Sequence, residues 1–334
     1  MRELQFHYDW LKGLKTIIAD PLTLRIPRMI EPQLELITVG GPAANHGGPR
    51  RMAYWDWRPA GSELPGHIVV CVHGLSRQGR DFDELARRLV PHCRVIAVDV
   101  AGRGHSDWLA DPMGYQVATY AADLATLLAQ LRAAQPGVVI DWVGTSMGGL
   151  IGLAVASQPA LAPRRLVLND VGPVLQWEAL SRIGSYLGQN PSFASEQTAA
   201  DYLASISAGF GPHTPEQWLA LSRPMLRERE GRWWLHYDPA IAEPFKAMMA
   251  GDAQASQQAV RDGEAALWGL YDSLSVPTLL LRGAQSDLLT AETAMRMGER
   301  GPKARCVSFP GVGHAPTLIA ADQRQVVSDF LLAI

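Results

Sequence analysis

Cysteine is scarce in this 334-residue chain, and the three that occur, Cys71, Cys93 and Cys306, lie far apart. An odd, unclustered set excludes a disulfide framework and a zinc site. Each is read as a small apolar side chain in or beside a strand. Net charge is nearly absent too: 30 Lys+Arg against 33 Asp+Glu leaves −3. With no basic block, nucleic acid is excluded as a partner. No apolar run is long enough for a transmembrane helix, so no stable membrane insertion is expected. Arg2, Glu3, His7, Asp9 and Lys12 interrupt the N-terminus where a signal peptide would carry its apolar core, and a cytoplasmic location is expected. Internal repeats and low-complexity tracts are missing as well.

What is present is a run of glycines around one serine. Gly144-Thr145-Ser146-Met147-Gly148-Gly149 follows the apolar segment Val138 to Val143 and opens onto Leu150-Ile151-Gly152-Leu153-Ala154. Strand, sharp turn and helix in that order read as a nucleophile elbow, in which a strained turn presents the serine and small neighbours let the two arms approach. Upstream, Ile68 to Val72 is a β-rich run ending in His73-Gly74-Leu75. That turn can supply one backbone donor of an oxyanion hole, the N–H of Leu75, and the residue after the serine, Met147, the other. His73 is read as a brace for its loop, because the hole needs backbone donors and no second base.

Two further strands end in chemistry-bearing turns. Pro277 to Arg282 leads into Gly283-Ala284-Gln285-Ser286-Asp287, and Arg305 to Phe309 leads into Gly311-Val312-Gly313-His314-Ala315-Pro316. A serine hydroxyl needs a base to take its proton, and an imidazole serves as that base when a carboxylate fixes its tautomer and stabilises the imidazolium. His314 and Asp287 fit these roles. Asn169-Asp170-Val171-Gly172 also places a carboxylate after a strand, and Asp170 is read as a structural contact instead.

From about Arg51 to Ile334 the chain resembles the α/β-hydrolase fold proteins. The resemblance rests on the His73-Gly74 turn, the run Asp99 to Ser106 with Gly102 and Gly104, the Ser146 elbow, Asp287 and His314. It implies an α/β architecture with a mostly parallel sheet flanked by helices, a Ser-His-Asp triad, and in many members a helical cap inserted after the sixth strand. Asp287 occupies the position where that resemblance places the acid. Ser146 stands where a dehalogenase or epoxide hydrolase of this fold would have an aspartate, which argues against alkyl-transfer chemistry.

Period and punctuation divide the chain into an N-terminal extension (1–33), a first part of the core (34–170), a cap (171–272) and a second part of the core (273–334). Leu34 to Val39 and Arg51 to Arg58 alternate as antiparallel strands. Helices are expected over Phe82 to Leu89, Tyr115 to Arg132 and Leu150 to Ser157. Asp99 is read as an organiser of its loop. Within the cap region the strand signal fades, and aromatics such as Tyr186, Phe210, Trp218, Trp233, Trp234 and Trp268 appear among helix formers, available for its core or for a substrate pocket. In the extension, Leu4, Tyr8, Leu11, Leu14 and Ile18 fall on one helical face. That stripe is expected to pack on the body of the protein, with a homodimer contact next and a membrane-surface helix last, because the polar face is not strongly basic.

The expected chemistry is hydrolysis of a small carboxylic ester or lactone through an acyl-enzyme, with no metal or organic cofactor. Two rivals stand beside it. A carbon–carbon bond hydrolase would use a similar triad, with Arg77 holding a substrate carboxylate unless a local acid such as Asp81 or Asp83 pairs with it. A small-molecule sensor on the same fold would bind without turnover.

Overall fold

The computed structural model describes residues 30–40, 48–61, 64–250 and 253–333. The helical stripe expected between Leu4 and Ile18 lies outside them. The described residues from Pro32 onward form one compact unit.

Two antiparallel strands open the sheet, β1 (Gln33–Val39) and β2 (Arg50–Trp57). The chain then alternates: β3 (His67–Val72), α1 (Asp83–Leu89), β4 (Arg94–Asp99), α2 (Val117–Ala134), β5 (Val139–Thr145), α3 (Met147–Ala156) and β6 (Leu166–Asn169). The eight-stranded sheet is completed by β10 (Thr278–Gly283) and β11 (Arg305–Phe309), in the order β1-β2-β4-β3-β5-β6-β10-β11. Every pairing from β4 to β11 is parallel. Burial follows the pairing. β4 and β6 are buried throughout, as strands covered on both faces must be, whereas the edge strand β1 is largely exposed. The helices α9 (Ala291–Glu299) and α10 (Ala321–Leu332) close the chain.

Between β6 and β10 the chain makes α4 (Trp177–Tyr186), β7 (Ser192–Phe193), α5 (Glu196–Ile206), α6 (Pro215–Ser222), β8 (Leu226–Arg229), β9 (Arg232–Leu235), α7 (Glu243–Met249) and α8 (Ala253–Asp272). α5 and α6 start with reciprocal capping boxes, Ser195 with Thr198 and Thr214 with Gln217. The faded strand signal was an underestimate here, because a three-stranded antiparallel sheet in the order β7-β9-β8 runs through the insertion. Its β8–β9 hairpin turns on Glu230 and Gly231, both left-handed at φ 53° and 70°, the two-residue geometry that matches strand twist.

The insertion is fastened to the loop after β4. The Gly104 N–H donates to the His236 carbonyl (3.0 Å) and the Asp238 N–H to the Gly102 carbonyl (2.7 Å). The Tyr115 hydroxyl donates to Asp238 Oδ2 (2.5 Å). Cys71 and Cys93 are buried as expected, but Cys306 is exposed, because β11 is the outer strand of the sheet. No helix among the described residues is long and apolar enough to cross a membrane.

Candidate functional site

The β5–α3 turn is built by glycines with no space for a side chain. A Cβ on Gly144 would lie 2.2 Å from the Gly148 carbonyl oxygen, and one on Gly148 would lie 2.0 Å from that of Val72. The two arms therefore touch backbone to backbone. Between them Ser146 adopts φ 52° and ψ −115°, a strained conformation for a non-glycine residue. Its N–H donates to the Asn169 carbonyl (2.9 Å), and the Trp142 indole N–H on β5 donates to the Gly148 carbonyl (3.1 Å). The strain is thus held from both sides.

Ser146 Oγ lies 3.0 Å from His314 Nε2, and His314 Nδ1 lies 2.8 Å from Asp170 Oδ2. With the proton on Nδ1, the imidazole donates to Asp170 and accepts from the serine hydroxyl. Asp170 is fully buried. Its Oδ1 accepts from the Gly283 N–H (2.8 Å) and its Oδ2 also accepts from the Ser286 hydroxyl (2.6 Å). Three donors to one carboxylate fix its orientation.

Asp287, expected beside His314, is not its hydrogen-bond partner. It accepts from Arg182 Nε (2.7 Å) and Nη2 (3.0 Å), and both side chains are nearly half exposed. Desolvation works against the charged form of Asp287, but the Arg182 hydrogen bonds and charge outweigh it and hold the carboxyl below its usual range. The physical reason for the exchange is register. β6 and β10 are neighbours, with Asn169 opposite Leu281. Asp170 therefore leaves β6 directly beside the turn after Gly283, while Asp287 lies farther along that turn, toward the rim. The Ser286 hydroxyl fills the intervening position, and its oxygen also accepts from the Leu289 N–H (3.1 Å).

The other expected residues gather at the same place. Leu75, Arg77 and Ser146 all line a cavity of about 390 Å³ together with His314. Met147 follows the serine at the first position of α3, where a helix leaves its N–H without an intrahelical partner. The Leu75 carbonyl accepts from Arg103 Nε (2.8 Å), and Arg103, fully buried, also donates to the Ala101 carbonyl and the Tyr120 hydroxyl. Arg103 braces the Leu75 turn. Sequence reasoning missed this role, although the residue lies between Gly102 and Gly104 in a run it had singled out. Arg77 does not point free into the cavity. It donates from Nε and Nη2 to Asp81 (2.7 and 2.6 Å) and from Nη2 to the Leu221 carbonyl (3.2 Å).

His73 Nδ1 donates to the Gly74 carbonyl (2.7 Å) and its Nε2 accepts from the Val100 N–H (3.0 Å), so the ring is a neutral brace. Burial pushes it down to about 3 against the contrary pull of the Gly74 carbonyl, and the charges of Arg103 and Arg77 add to the fall. Asp99 accepts from the Gly79 and His105 N–H groups (2.7 and 2.9 Å), as an organiser of that loop should. Burial raises it to about 6 despite those bonds. Asn169 is a further residue the sequence did not single out. Its Nδ2 donates to Thr145 Oγ1 (3.0 Å) and to the Pro316 carbonyl (2.8 Å), tying the serine turn to the histidine loop.

The insertion supplies the opposite wall of the cavity, through Ile183, Leu203, Ile206, Phe210, Leu221 and Met225. Of the insertion's aromatics, Tyr186 and Phe210 line it. Trp268 is instead buried against Tyr271, with the Arg300 guanidinium over its ring. Among the described residues no cluster of three or more His, Cys, Asp or Glu could hold a metal ion. A serine donating to an imidazole that donates to a buried carboxylate, at the edge of a cavity, has the geometry of an activated nucleophile.

Comparison with known proteins agrees with this architecture. The chain is 44% identical over 303 residues to a 3-hydroxybutyrate-oligomer hydrolase of Cupriavidus necator, covering 90% of this chain and 97% of that one. It is 28% identical over 267 residues to a pimeloyl-[acyl-carrier protein] methyl ester esterase of Xanthomonas campestris, covering 77% and 92%. Among solved structures, an alpha/beta hydrolase from Novosphingobium aromaticivorans superposes with a TM-score of 0.73 at 34% identity, covering 92% of this chain and all of that one. Residues 69–330 match the model of the alpha/beta hydrolase family, and the chain belongs to that family.

Proposed function

We propose that this protein is a serine hydrolase that cleaves short esters of hydroxy acids through an acyl-enzyme. The observation that carries the reading is the hydrogen-bonded line from Ser146 through His314 to Asp170 at the wall of the cavity. Ser146 attacks the ester carbonyl as His314 takes its proton. The N–H groups of Leu75 and Met147 receive the developing oxyanion, and Asp170 stabilises the imidazolium. His314 then gives the proton to the leaving alcohol, and water, activated by the same base, releases the acid. Asp170 takes the role first expected of Asp287. The insertion, over 171–272, acts as a cap that shapes the pocket and limits access of water.

The substrate class is suggested by the relative that hydrolyses 3-hydroxybutyrate oligomers. The mixed lining of the cavity suits an oligoester, with Ile183, Leu203 and Ile206 beside Ser76, Ser205 and Thr317. The carbon–carbon hydrolase reading loses its anchor, because Arg77 is already committed to Asp81. The test is hydrolysis of a 3-hydroxybutyrate trimer and of p-nitrophenyl butyrate by the wild type and by Ser146→Ala, with fluorophosphonate labelling. The expected result is labelling on Ser146 and a loss on the order of 10⁶-fold in kcat for the variant. Labelling elsewhere, or retained turnover, would overturn the assignment.

A further inference from the structure

The cavity wall carries two arginine–aspartate pairs of different character. Arg77 with Asp81 is largely buried, at 9% and 18% side-chain exposure, and the guanidinium is further held by the Leu221 carbonyl and lies 5.7 Å from the Phe210 ring centre. Its charge is spent within the protein. Arg182 with Asp287 is 43% and 45% exposed and joins α4 of the insertion to the turn after β10. An exposed pair of this kind contributes little, so exchanging one carboxylate for another on Arg182 costs little, whereas opening the buried pair would strand a desolvated charge.

The position of the exposed pair relative to the reacting groups is informative. The leaving alcohol must depart beside His314, which delivers its proton. Asp287 and His314 line the same cavity, with Arg182 beside them. In an oligomer of a 3-hydroxy acid, the final ester bond has as its alcohol a monomer whose carboxylate carbon is only three bonds from the departing oxygen. We propose that Arg182 is the specificity-determining residue that grips this carboxylate, displacing Asp287, so that the enzyme removes one hydroxy acid at a time from the carboxyl end of the oligomer.

This inference rests on the ester-hydrolase reading above and adds a direction to it. The bonds made and broken are those of acyl transfer. Ser146 Oγ bonds to the penultimate carbonyl carbon, the carbon–oxygen bond to the terminal monomer breaks, and the serine proton passes through His314 to that oxygen. The monomer leaves as a hydroxy carboxylate paired with Arg182. The acyl group retained on Ser146 carries the hydroxyl end of the chain, and water releases it.

The test compares kcat/KM for a 3-hydroxybutyrate trimer as the free acid and as its carboxyl-terminal primary amide, in the wild type, Arg182→Met and Asp287→Asn. The wild type is expected to prefer the acid by about tenfold or more and to release monomer and dimer from it. Arg182→Met should bring the ratio close to one without lowering turnover of neutral p-nitrophenyl butyrate by the same factor. Asp287→Asn, which removes the competing carboxylate, should keep or enlarge the preference through a lower KM for the acid. Equal rates on acid and amide in the wild type, or a preference that survives Arg182→Met, overturn the inference and leave the ester-hydrolase reading standing if p-nitrophenyl butyrate is still cleaved. Failure on every ester overturns both.

Discussion

Replacing Asp170 by asparagine isolates the feature that distinguishes the two candidate acids. The change is nearly isosteric, and asparagine tolerates the left-handed backbone that Asp170 adopts at φ 56°, so the fold should persist. The hydrogen bonding cannot. Asp170 accepts at Oδ1 from the Gly283 N–H and at Oδ2 from both His314 and Ser286. An amide has one oxygen. If that oxygen faces Gly283, the NH2 faces His314 and imposes the tautomer protonated on Nε2, which cannot accept from Ser146. If the amide is flipped, the NH2 meets the Gly283 N–H in a buried site, a donor facing a donor that costs about 1–3 kcal/mol. The first arrangement is therefore favoured, and kcat should fall on the order of 10⁴-fold, about 5.5 kcal/mol of transition-state stabilisation. Asp287→Asn should stay within a few-fold of wild type on neutral esters. Steady-state kinetics on p-nitrophenyl butyrate, with circular dichroism to verify folding, gives both numbers. A folded Asp170→Asn variant keeping more than about one-tenth of wild-type kcat, beside an Asp287→Asn variant losing several orders, would refute the assignment.

Other outcomes follow from the same contacts. Ser286→Ala removes one of the three donors to Asp170 and should lower kcat about tenfold with little change in KM, since the hydroxyl lies behind the carboxylate; an unchanged kcat would mean the other two donors suffice. Gly148→Ala would press a Cβ to 2.0 Å from the Val72 carbonyl oxygen, and chemical denaturation should show a loss of about 3 kcal/mol or more, or no folded protein. His236 is lowered to about 4, chiefly by burial, with His105 and Arg227 adding to the effect. The unfolded chain takes up its proton near pH ~6.5 while the folded chain does not, so this group withdraws stability as pH falls from about 6.5 toward 4. The drop in denaturation midpoint between pH 7.5 and pH 5 should accordingly be smaller in His236→Gln than in wild type; an equal drop would show that His236 is not held neutral.

Much of this molecule could be read along the chain. Parallel strands covered on both faces are short apolar runs, which is why β3, β4, β5, β6 and β10 were each legible to within a residue or two. The serine elbow was legible because its requirement is local: two glycines whose backbones must touch, and a strand and helix to either side. His314 was legible for a related reason, as the residue ending the last strand–turn unit. The β8–β9 hairpin was not. Arg227, Glu228, Arg229 and Arg232 cover it with charge, and its two tryptophans read equally well as parts of a helix. Its Glu-Gly turn was the one signal available.

The acid shows where a linear reading stops. Asp170 and Asp287 each follow a strand that ends on the same edge of the sheet, and nothing along the chain states which carboxylate is turned toward His314. Sequence by itself determined the fold class and pointed to Ser146, His314 and a carboxylate after a neighbouring strand, because these depend on residue type and on contacts within a few positions. Tertiary structure decided the rest: lateral pairing of β6 with β10 sets Asp170 against the imidazole, Ser286 and Gly283 secure it there, and Arg182, arriving from more than a hundred residues away, draws Asp287 to the rim. A side chain's partner is fixed by distance in space, and across parallel strands that distance is set by register and by what the intervening insertion brings back.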